Sequence, residues 1–131
     1  MATQFIKVGS EFQANLAPQQ DNSQTDPDIA VVTDGRFLAV FEDQFVGGPS
    51  PDNNIIGQFF NPSGAFSGGN FIIESDAGDQ RDPAVAPRTT GAGAGGAVVV
   101  WEDTTSAAGD IQLVVISSTG ANLSAPAPNS T

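Results

Sequence analysis

The chain has 131 residues, 15 acidic and 4 basic (Lys7, Arg36, Arg81 and Arg88), and a net charge of −11. A surface this acidic repels nucleic-acid phosphates and anionic membranes, which makes both poor partner candidates. Cys, His and Tyr are all absent, so disulfides, thiolate or imidazole metal sites and the commonest catalytic bases and nucleophiles are excluded too.

Fifteen glycines and nine prolines interrupt the chain too often for long helices, and apolar residues never recur with helical spacing. Short runs of Val, Ile and Phe between turn residues predict an all-β chain instead. Residues 1–20 come first, with Phe5, Ile6, Val8 and Phe12 in an extended stretch ahead of a polar linker. They carry no basic region followed by an apolar run, so no secretion signal is expected there. No apolar run approaches the roughly 20 residues that span a bilayer.

Residues 21–76 form a first repeat. A strand over 29–32 is expected after an Asp26-Pro27 turn, and its return strand, 37–41, after the tight Asp34-Gly35 turn. A third strand over 55–60 and a fourth over 70–74 follow a longer loop and the turn at 61–64. Residues 77–123 repeat this with strands at 84–86, 97–101 and 111–116. The tail 124–131, SAPAPNST, has two prolines and no bulky apolar residue, so the second repeat is expected to lack its last strand.

The repetition is explicit. Asp26-Pro27 recurs 56 residues later as Asp82-Pro83, and Ser63-Gly64-Ala65 recurs at the same step as Thr119-Gly120-Ala121. Glu42-Asp43 recurs as Glu102-Asp103 at a step of 60, because residues 89–96 hold a four-residue insertion that a shorter loop later removes. The segment VGSEFQAN at 8–15 resembles SGGNFIIES at 67–75, so the N-terminus reads as an unattached fourth strand. The expected fold is two four-stranded antiparallel units like propeller blades, with a displaced N-terminal strand. A two-sheet β-sandwich is the alternative.

An Asp-Pro before a strand, a strand ending in Trp-Glu-Asp and a later strand-turn-Gly resemble repeats of very large extracellular bacterial proteins. Those include calcium-dependent hemolysin-type and adhesin-like proteins, with the approximate pattern DPxVAxLxDGGFVVVWE, RFDxxG and GxEFxVN. The match runs over residues 26–43, 55–64, 69–74, 82–103, 111–120 and 9–15. The resemblance implies the blade-like fold, an extracellular or cell-surface location and a modular, non-enzymatic role. The chain lacks the basic residue of RFD and the glycine-rich nonapeptides that bind calcium, so calcium ligation is not carried over.

Carboxylates are the remaining chemistry. Glu42-Asp43 and Glu102-Asp103 are adjacent on strands, so their side chains point to opposite faces, which favours a structural role over paired acid–base catalysis. Asp21, Asp26 and Asp28, and Asp76, Asp79 and Asp82, make oxygen-rich loops, but neither has the alternation and closing glutamate of an EF-hand. Calcium is therefore not favoured and no cofactor is expected. Phe41 and Trp101 occupy one repeat position, read as core rather than as a sugar platform. Asn53, Asn54, Gln58 and Gln112 are the polar candidates for a lectin site. Asn122 and Asn129 each open an N-glycosylation sequon.

Two blades cannot close a ring or bury both outer faces, so the displaced strand points to a partner that is the chain itself. The expected function is a non-enzymatic subunit of an extracellular ring or fibre, joined by strand exchange. Phe5, Ile6, Val8 and Phe12 would lie on the donor strand, and Ile111, Leu113 and Val115 on the acceptor edge. The alternative is an oligomeric carbohydrate-binding propeller with glycans as partners.

Overall fold

In the computed structural model, which describes residues 9–15, 23–44, 52–90 and 95–124, every regular element is a β-strand. The first sheet contains β1 (Gln24–Val31), β2 (Phe37–Gln44), β3 (Asn53–Phe60) and β4 (Phe71–Glu74). The second contains β5 (Gln80–Pro87), β6 (Ala97–Asp103), β7 (Asp110–Ile116) and β8 (Asn122–Ser124). Within each sheet the strands pair antiparallel in chain order. The all-β expectation and the two four-stranded units are both present.

Tight turns set this order. Gly35 N–H donates to the Val32 carbonyl at 3.0 Å, and Val32 N–H to the Arg36 carbonyl at 2.8 Å, which closes the first hairpin. The same pair of bonds recurs around Asn61, Gly64 and Ala65, and around Ser117, Gly120 and Ala121. Each uses a glycine with φ between +83° and +88°, a region that side chains disfavour.

Asp26-Pro27 is not the expected turn. It lies inside β1 as a bulge between Thr25 and Asp28, and the β5 register shifts in the same place between Arg81 and Ala84. Proline has no N–H to give the ladder, and Asp is among the few residues that tolerate positive φ; Asp26 sits at +49° and Asp82 at +51°. The bulge lets the strand run past the Asp-Pro pair, so β1 and β5 start earlier than their apolar runs.

The second repeat also departs from expectation, since β8 gives its sheet a fourth strand. Its register shows what it replaces. Asn122 pairs with Ile116 as Phe66 bridges Phe60 one repeat earlier. The counterpart of β4 would pair further along β7, where β4 itself pairs with Ile55, Ile56 and Gly57. Pairing of β7 with β8 is confined to Val115 and Ile116. The stretch 111–113 has no fourth strand among the described residues.

One core lies between the sheets. Val32, Leu38, Val40, Ile55, Phe59 and Ile73 from the first meet Ala97, Val99, Trp101, Val114 and Ile116 from the second. Strand parity shows that the faces used are different. On β2 the core side chains alternate with the Asp43 face, so Glu42 points toward the second sheet; on β6 they lie on the Asp103 face, with Trp101 at the position of Phe41. The sheets stack front to back, as consecutive blades do, rather than sharing equivalent faces as a symmetric sandwich would. Burying a side chain the size of Leu or Phe stabilises by about 1.5–3 kcal/mol, so this core dominates the fold's cohesion.

Polar links fix the stacking angle. Glu42 Oε1 accepts the Asp82 N–H at 2.8 Å, Asp28 Oδ2 accepts the Val85 N–H at 2.8 Å, and Arg36 Nη2 donates to the Ser118 carbonyl at 2.7 Å. Each joins the Glu42 side of the first sheet to the second.

Candidate assembly site

The stacking step consumes one face of each sheet and leaves one of each. On the first sheet the remaining face carries Phe37, Ala39, Phe41 and Asp43 on β2, opposite Phe60, Gln58, Ile56 and Asn54 on β3. Residues 9–15 lie along it. The Phe12 ring is 5.9 Å from that of Phe60, which also stacks on Phe37 at 5.0 Å, and Asn15 Nδ2 donates to Gln24 Oε1 at 3.0 Å. Beside them Ala14, Asn15, Gln24, Thr25, Ala39 and Phe41 wall an apolar cavity of ≈170 Å³.

This segment is not a strand among the described residues, yet its placement follows the repeat. A Cβ on Gly64 would stand 3.2 Å from the Phe12 ring, and a Cβ on Gly120 would stand 3.1 Å from the Phe71 ring. Gly64 and Gly120 are equivalent, and so are Phe12 and Phe71. Gly9 and Gly68, at the heads of the two segments, share a φ of +88° and +85°. Residues 9–15 therefore lie on the first sheet as β4 lies on the second. They hold the place of the last strand of a preceding blade.

On the second sheet the remaining face carries Val98, Val100 and Glu102 on β6, opposite Val115, Leu113 and Ile111 on β7. Ile111 is 77 % exposed and Leu113 45 %. Their counterparts in the first sheet are Ile55, wholly buried, and Gly57, which admits the Phe71 ring close above it. The three residues expected at an acceptor edge thus lie on one open apolar face. Of the expected donors, Phe12 is 58 % exposed, and Phe5, Ile6 and Val8 fall outside the described residues.

The paired carboxylates point to opposite faces. Glu42 Oε2 accepts from Thr25 Oγ1 at 3.2 Å and Asn53 Nδ2 at 2.9 Å, beside the Oε1 contact to Asp82. Asp43 is fully buried on the other face, where Gln24 Nε2 donates to its Oδ1 at 3.1 Å and Oδ2 has no partner. Burial raises the Asp43 carboxyl above its ordinary value, against the opposing pull of the Gln24 amide.

The loop carboxylates do not gather as the sequence suggested. Asp26 and Asp82 come together with Glu42, their ligand oxygens within 4.8 Å of one another, but both Glu42 oxygens already accept hydrogen bonds. Asp79 pairs with Arg81 and accepts the Asn53 N–H at 3.1 Å, and the Arg81 bond lowers its carboxyl below the usual range. Asp21 lies outside the described residues. Among the lectin candidates, Asn53 is bound to Glu42, and Gln58 is buried with its amide donating to the Phe59 and Gly68 carbonyls. Asn122 donates to the Ile73 carbonyl at 3.4 Å, and Asn129 lies outside the described residues.

The sequence reading gave Glu102 a structural role without placing it on an open face, and Val98 and Val100 beside it escaped that reading. Alternation along β6 marks two faces but does not say which one its neighbour covers. No protein-family model, curated protein or solved structure matches the chain.

Proposed function

We propose that this chain is a non-enzymatic structural subunit that assembles with copies of itself, the N-terminal segment of each molecule completing the second sheet of the next. One observation carries the reading: Phe12 stands on Gly64 as Phe71 stands on Gly120, while among the described residues β7 has no fourth strand along 111–113. Residues 9–15 thus hold a last-strand position that matches no sheet among the described residues, and along 111–113 β7 pairs with no described strand of that kind.

The register follows from β4, which pairs Gly57 with Phe71, Ile56 with Ile72 and Ile55 with Glu74. Shifted to the equivalent positions, Leu113 meets Phe12, Gln112 meets Gln13 and Ile111 meets Asn15 of the neighbouring molecule. Leu113 replaces Gly57, so Phe12 packs against a side chain there rather than over bare backbone. Strand addition of this kind draws its strength from backbone hydrogen bonds and its specificity from alternate side chains. Such a contact joins unlike surfaces, and it gives a ring or a fibre according to the rotation at each step. An extracellular setting rests on the resemblance of the repeats to those of large surface proteins.

Size-exclusion chromatography with light scattering tests the proposal. The full chain is expected as a discrete multiple of 13.4 kDa or as long particles. A chain without residues 1–15 is expected as a monomer. Phe12→Ala, at an exposed position, should weaken association about tenfold while the circular dichroism spectrum is unchanged. Undiminished assembly in both variants would overturn strand exchange.

A further inference from the structure

The internal junction is a worked example of how one sheet of this protein receives another. Val40 on β2 and Ile55 on β3 share one core with Val99 and Trp101, and Glu42 on the same face reaches the second sheet at Asp82. Val100, Glu102 and Ile111 are the same three positions one repeat later, and they face outward. Ala39 and Phe41 are the counterparts of Val99 and Trp101. Over them lies the ≈170 Å³ cavity, walled in part by Ala14 where the β4 segment has buried Ile73. An apolar cavity of this order takes a benzene-sized apolar group.

The polar part of the junction is likewise half present. Glu42 uses three donors: the Asp82 N–H, Thr25 and Asn53. At Glu102 the two side-chain donors are replaced by Arg81 and Gly109, and its carboxylate accepts no hydrogen bond from the described residues. Asp26 meanwhile sits at the same left-handed bulge as Asp82, on the edge strand β1, with its carboxylate near Glu42 and Asp82 and its N–H in the position from which Asp82 reaches Glu42 one repeat later.

We infer that the open face of the second sheet is a docking surface for the first sheet of a second copy of this chain, with Glu102 accepting the Asp26 N–H across the junction. Val100 and Leu113 then settle over Ala39 and Phe41, and Ile111 covers the rim beside Asn15. This rests on the strand-exchange reading and adds to it the face, the partner surface and the polar latch. Strand pairing alone would leave Ile111 in water and Val98 and Val100 half-buried. Face docking covers them with the surface that the repeat has already shaped for such side chains.

Two point variants test the face without touching backbone pairing. Ile111→Lys changes a side chain that is 77 % exposed, so the monomer's fold is preserved, and a lysine can still occupy a strand edge. Sedimentation velocity over a concentration series should show a dissociation constant at least 100-fold weaker than that of the parent chain. Glu102→Ala should weaken association about tenfold, and Glu102→Gln, which keeps an acceptor oxygen, should recover most of that loss. Parent-like association in Ile111→Lys and Glu102→Ala, together with its loss on deleting residues 1–15, would overturn the docking face and leave strand exchange standing. Loss in the point variants but not in the deletion would overturn strand exchange instead. A parent chain that is monomeric throughout the series would overturn both.

Discussion

At Asp43 a carboxylate is buried with one oxygen satisfied by Gln24 and the other unpaired. Its folded pKa is raised, so ionisation opposes folding at neutral pH and that cost is relieved as pH falls. Asp43→Asn should therefore raise Tm at pH 7, and the difference from the parent should narrow as pH drops to about 4, the ordinary carboxylate value. Thermal melts across that range check the sign; a gain that grows toward acid would contradict it. Glu42, one residue away, differs because three donors surround it. Two neighbours on one strand thus meet opposite environments, since alternate side chains face different layers.

Among elements, β3 shows how the sheet accommodates its own fourth strand. A Cβ on Gly57 would come within 2.5 Å of Phe71 Cζ and 3.1 Å of Ile73 Cδ1, both buried or partly buried against the core. Gly57→Ala should cost about 1–3 kcal/mol in urea denaturation, as overpacking typically does. Leu113→Ala, at the same position of β7 but 45 % exposed, should change the stability of the monomer little. This contrast also marks what was legible in the sequence. The strands, their order and the displaced N-terminal segment could be read from apolar runs, glycines and the repeat, because those signals are local. The Asp-Pro bulge looked like a turn because proline reports only a missing N–H, and a missing N–H suits both. Short β8 was hidden by the prolines that follow it, although Asn122 to Ser124 pair ahead of them. The open face containing Val98, Val100 and Glu102 was not legible at all, since burial on one side of a strand is decided by what stacks on it.

For the whole molecule, charge and shape pull in opposite directions. Each chain carries −11, and docking as inferred would bring Glu102 and Asp82 toward Asp26 of a neighbour. Like charges at that junction oppose association, while apolar burial and backbone donors favour it. Added salt screens the repulsion and leaves the apolar contact intact, so self-association should strengthen between 20 mM and 300 mM NaCl; the Debye length falls over this range from about 20 Å to under 10 Å. Light scattering that shows weaker association with salt would point to ion pairing instead. The front-to-back stacking of the two sheets has one further consequence, which concerns counting. A surface that fits its own image can satisfy itself in pairs, but here the giving end and the receiving end are different surfaces. In the proposed assembly, a pair of molecules joined at one junction would still present one of each. Such an assembly would have a direction, and a row of molecules would be finished only when its last member meets its first.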